Sequence, residues 1–143
     1  MEALGRTMNV ISVADGVYIN LRDCGGVAFS CYLAAAAGDT YTLVEAKDAS
    51  GTGAQNLAAV TRYYTCTGDG TDAWTKRTQA AAATVVTAAA ATQNAMWVEI
   101  DGTQLSDDYD YVKLTSTGAG RVEAIARDLV VQRAPANLPA LGV

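Results

Sequence analysis

The sequence predicts an all-β domain, an antiparallel β-sandwich or β-barrel with short loops and an extended C-terminal tail. Three observations carry this expectation. Clusters of β-branched and aromatic residues recur at even spacing, divided by Gly, Asp and Thr turn signals. Several clusters alternate apolar and polar positions with period two. No segment carries a long apolar stripe of helical period. The 143 residues suit one core, and the composition does not divide them. We therefore expect a single β-rich domain over 1–133, with residues 1–9 as an N-terminal arm, followed by a Pro-containing tail over 134–143.

The segments follow in order. Residues 8–13 and 17–21 flank Asp15-Gly16, a dipeptide favoured in hairpins. Residues 27–33 alternate, with Val27, Phe29, Cys31 and Leu33 on one face and expected in the core. Strand chemistry resumes over 40–46, and residues 48–56 form a Gly-, Ser- and Thr-rich loop. Residues 60–66 are rich in Thr and Tyr, as strands are. T-G-D-G-T-D at 67–72 is a turn before the segment around Trp74. Residues 79–92 hold two four-alanine runs. Alanine favours helix, but the β-branched centre points to a short strand at Val85-Val86 with the alanines packed where space is tight. Residues 95–100 place Met96, Val98 and Ile100 inward and Trp97 and Glu99 outward. Leu105 anchors the loop after Asp101-Gly102. Residues 111–115 turn Val112 and Leu114 inward, and 121–132 hold one long strand or two short ones. Pro135 and Pro139 bar the tail from regular pairing.

Composition narrows the function. Histidine is absent, which removes the commonest general acid/base and metal ligand. The net charge is −5 and the cations are scattered, whereas a nucleic-acid binder needs clustered ones, so no direct nucleic-acid partner is expected. No apolar run approaches the roughly 20 residues of a spanning helix, and the first ten residues lack a secretory pattern. That reading is of a soluble protein made in a cytoplasm, with no membrane partner. Cys24, Cys31 and Cys66 are odd in number and irregularly spaced, so they read as free thiols. Asp101, Asp107, Asp108 and Asp110 lack the ligand order of a calcium loop and read as turn residues. We expect no enzyme, cofactor or metal.

Aromatic and tail residues remain as binding candidates. Trp97 lies opposite a complete apolar face, and of Tyr63 and Tyr64 one points in and one out. With Tyr109, these rings suit a protein interface, where Tyr and Trp are enriched. Leu138 and Leu141 would anchor the tail as an arm on a partner. Trp74 or Trp97 would also suit a sugar-stacking platform.

The run M-W-V-E-I-D-G-T-Q-L-S-D-D-Y-D-Y-V-K-L at 96–114, with A-I-A-R-D-L-V-V-Q-R-A-P-A-N-L-P-A at 124–140, resembles small virion proteins of tailed bacteriophages infecting actinobacteria. These are similar to capsid decoration, or cement, proteins. G-V-A-F-S-C-Y-L and Y-T-L-V-E-A-K-D-A fit the same pattern, which covers most of 10–140. The resemblance implies a homotrimer on the outer capsid surface that clamps the major capsid protein and stabilises the shell without catalysis. Alternatives are another phage structural subunit (tail tube, head–tail joining or fibre) or a carbohydrate-binding β-sandwich.

Overall fold

The computed structural model describes residues 3–143. Two antiparallel sheets pack face to face as a sandwich. The strands are β1 (Met8–Ile11), β2 (Ile19–Asn20), β3 (Cys24–Tyr32), β4 (Thr40–Ala46), β5 (Gln55–Asn56), β6 (Val60–Cys66), β7 (Thr75–Ala82), β8 (Thr84–Val86), β9 (Ala95–Asp101), β10 (Tyr111–Ser116) and β11 (Arg121–Leu129). The larger sheet has the order β1-β11-β3-β9-β6-β7. The smaller runs β2-β10-β4-β5, with β8 on β4 beside β5.

Alternation in the sequence becomes the core directly. Val27, Phe29, Met96, Val98 and Ile100 enter from the larger sheet, and Tyr41, Leu43, Val85, Val112 and Leu114 from the smaller. Leu33 is only half-buried, and Leu105 packs against the core edge as expected. Two buried carboxylates tie loops to this body. Asp39 accepts from the backbone N–H of Thr40 (2.7 Å) and Gly118 (2.9 Å), and from the hydroxyls of Thr117 (2.9 Å) and Ser116. Glu45 accepts from the Ser106 backbone N–H (2.8 Å) and hydroxyl (2.6 Å) and the Gln55 amide (2.6 Å).

Four expectations need correction. Asp15-Gly16 turns the chain, with Gly16 at φ +70°, but its flanks form no hairpin. β1 joins β11 in one sheet and β2 joins β10 in the other, so the turn crosses the sandwich. The Ala14 N–H donates to Val122 and the Gly16 N–H to Leu114, which fixes that crossing. Secondly, Val85 is buried in β8 as read, but the alanines around it are exposed or half-buried rather than tightly packed. The first run extends edge strand β7, and Ala91–Gln93 form a 3-10 turn.

Thirdly, no free arm exists at 3–9. Asn9 is buried, and the Gly5 carbonyl accepts from the Arg133 N–H at 2.8 Å. The chains cross so closely there that a Cβ on Gly5 (φ +85°) would lie 2.3 Å from the Arg133 carbonyl oxygen. Residues 1–2 of the expected arm lie outside the described residues. Finally, the expected extended tail makes a 3-10 turn at Pro135–Asn137 and straps its own domain. Asn9 donates to the Pro139 carbonyl (3.0 Å), Asn20 N–H to that of Leu141 (2.8 Å), and the Tyr111 hydroxyl to that of Val143 (3.0 Å). Leu141, expected on a partner, is 7% exposed and part of the core. Burial in its own core leaves it little to offer another molecule.

Candidate functional site

The outer face of the larger sheet carries the most developed surface feature. Because Met96, Val98 and Ile100 face inward, alternation puts Ala95, Trp97, Glu99 and Asp101 outward along β9. Pairing sets Tyr64 beside Trp97 on one side and Ser30 beside it on the other. The Trp97 indole N–H donates to Glu99 Oε1 at 3.2 Å, which fixes the ring. Trp74, 49% exposed, completes a three-ring cleft of about 370 Å³ with Tyr64 and Trp97.

The turn at 67–72 positions Trp74. Asp69 accepts from the hydroxyls of Thr67 and Thr71 (2.6 Å each) and the Thr71 N–H (2.9 Å), and these bonds hold its carboxyl down to about 2. Asp72 accepts from the Thr67 backbone N–H at 3.0 Å. Gly68 (φ +83°) lets this turn lie against Tyr32 and Ala95; a Cβ there would meet the Ala95 Cβ at 2.9 Å.

A polar hollow adjoins each end of the aromatic cleft. One, of about 250 Å³, shares Trp74 and is lined by Ser30, Tyr32, Arg121 and Glu123, the last two ion-paired. The other, also about 250 Å³, begins at Glu99 and includes Arg62, Asp101, Gln104 and Arg127. Burial would lower the Arg127 pKa, but hydrogen bonds and ion pairs with Asp101 and Asp128 outweigh it and raise it. The buried Nε–H of Arg127 has no acceptor among the described residues.

The predicted site residues divide. Trp97 is half-buried in the cleft. Tyr63 turns inward against the core, and Tyr64 takes the outer place. Val60 and Tyr64 have the same parity but opposite environments, because the pairing with β7 shifts between Val60 and Arg62. That irregularity hid Tyr64 from an alternation argument. Tyr109 is half-buried on the other sheet's loops; its hydroxyl donates to the Gly53 carbonyl at 2.9 Å, and Lys47 Nζ sits 5.3 Å from its ring centroid. It holds a loop. Leu138 is half-buried at the corner where the termini meet, with Val131 and Arg133.

That corner is a second feature. Val130 is 71% exposed, Val131 48% and Leu4 42%, and the Gly5–Arg133 hydrogen bond joins their segments. It lies by β1 and the end of β11, whereas the rings lie on β9, β6 and the turn before β7. Cys24, Cys31 and Cys66 are buried free thiols, and burial raises the pKa of each. Among the described residues no three His, Cys, Asp or Glu side chains converge on a metal position, and no helix is long and apolar enough to cross a membrane. No protein-family model, curated protein or solved structure matches the chain.

Proposed function

We propose that this protein is a structural component of a bacteriophage virion that decorates the capsid as a homotrimer and binds the major capsid protein. The observation that carries the reading is the set of exposed or half-buried aliphatic residues on the strapped terminal segments, Val131 and Leu138 side by side and Leu4 and Val130 on the segments that the Gly5–Arg133 hydrogen bond joins. Clustered exposed aliphatic side chains suit contact with another protein surface, and a pre-ordered strap binds with little further loss of chain entropy. The resemblance of residues 96–114 and 124–140 to decoration proteins supplies the partner. The corner thus replaces the free arm as the contact. The test is a gel of purified virions with the copy number compared to the major capsid protein, joined to native mass spectrometry of the isolated protein. A near-stoichiometric band and a trimer are expected. A few copies per particle, or a hexameric ring, would refute decoration.

A further inference from the structure

We infer that the groove along β9, on the outer face of the larger sheet, binds a neutral linear oligosaccharide. The inference stands apart from the capsid reading, since the three rings lie on β9, β6 and the turn before β7, whereas the aliphatic residues lie by β1 and beyond the end of β11.

The groove runs from Ala95 to Asp101, about 20 Å at the rise of a strand. Its middle is aromatic and its ends are polar. Three rings form the centre, Trp74 leads into the hollow of Ser30, Arg121 and Glu123, and the Trp97–Glu99 hydrogen bond leads into the hollow of Arg62 and Arg127. A pyranose has the matching shape: its C–H face stacks on indole and its rim of hydroxyls needs fixed donors and acceptors. Repeating such rings along a groove requires aromatic and polar surface in turn. Volumes of about 370 and 250 Å³ fall near the range of small-ligand sites, about 300–1,000 Å³.

Charge selects a neutral ligand. The hollows hold Arg62, Arg121 and Arg127 against Glu99, Glu123 and Asp101, and four of the six are ion-paired in place. Three cations against three carboxylates leave the groove no net charge to attract an anionic sugar or a basic peptide. Backbone geometry disfavours a peptide further. Ser30, Tyr64 and Trp97 lie on interior strands, hydrogen-bonded on both sides, so an extended peptide finds no free edge there.

The experiment titrates the full-length protein with cellohexaose, chitohexaose and maltohexaose, following tryptophan fluorescence and calorimetric heat. At least one should bind and perturb the fluorescence. Trp74→Ala should weaken that binding at least tenfold while leaving the melting temperature near the parent's, because Trp74 is half exposed. Trp74→Phe should recover part of the loss. Arg121→Ala combined with Glu123→Ala should weaken binding without removing the fluorescence change. No binding by any of the three sugars up to about 10 mM, a range that covers weak affinities, overturns the inference. So does unchanged affinity in Trp74→Ala. If Trp74→Ala instead releases the protein from capsids and no sugar binds, the cleft is a protein-docking site and the inference is wrong.

Discussion

Leu141 and Leu138 sit three residues apart in the same tail, and truncating them should have different consequences. Leu141 is buried in the core, and its carbonyl accepts from the Asn20 N–H. Burying a leucine side chain contributes about 1.5–3 kcal/mol, and Leu→Ala in a core costs about 2–5 kcal/mol with the cavity included. Leu141 lies in a strap held by single hydrogen bonds rather than in a strand, so the strap can settle into the space and the loss belongs at the low end. We expect Leu141→Ala to cost about 2–3 kcal/mol, or a fall in melting temperature of about 6–12 °C at this size. Leu138 is only half-buried, so Leu138→Ala should cost under about 1 kcal/mol yet weaken capsid attachment. Urea denaturation at constant slope, limited proteolysis of the tail and co-sedimentation with capsids measure the three effects. A parent-like Leu141→Ala protein, or a Leu138→Ala protein that melts lower than it, would refute the strapped tail.

Other outcomes follow from the same contacts. Burial would push the Asp39 carboxyl up, but hydrogen bonds from Ser116, Thr117, Thr40 and Gly118 outweigh it and hold it below the ordinary carboxylate range. Its contribution is therefore present at neutral pH and lost as pH falls through and below that range. Asp39→Asn should cost about 2–3 kcal/mol at pH 7, with the gap to the parent narrowing in acid-unfolding curves. Ala36 sits at φ +51°; Ala36→Gly should raise stability by about 0.5–1 kcal/mol in chemical denaturation by relieving left-handed strain. Replacing all three cysteines by alanine should leave attachment intact and cost mainly stability, most at Cys31, while native thiols react slowly with a maleimide. Attachment through the aliphatic corner should persist in about 1 M salt, where exposed charge pairs are screened; release there would point to an electrostatic clamp.

The periodic segments were legible because alternation alone decided them. Val27, Phe29, Met96, Val98, Ile100, Val112 and Leu114 each reached the core on that basis. What alternation cannot carry is which sheet a strand joins. Asp15-Gly16 has hairpin chemistry, yet its two flanks pair with β11 and β10, a choice made by distant partners. Nor does it carry register past an irregularity, which is why Tyr64 rather than Tyr63 faces out. Leu141 was legible as an anchor but not as one for its own domain, since proline spacing says that a segment is extended and not what it lies on. The polar ends of the groove come from β3, β6, β9 and β11 and from the turn after β9, and only the sheet order brings them together.

That strand order also governs how the chain can acquire its structure. β1 and β2 pair with β11 and β10, strands far along the domain from them, and β11 separates β1 from β3. A nascent chain therefore holds β1 and β2 without these partners until β10 and β11 have been made, at about 5–20 residues per second. Closing loops of that span before any contact rewards them places folding in the slow, millisecond-to-second class of all-β domains. The delay leaves apolar strands open to neighbouring chains while they wait. Once β11 inserts between β1 and β3, it joins segments from opposite ends of the domain, so releasing β11 must free β1 as well, whereas β1 can peel from the edge alone.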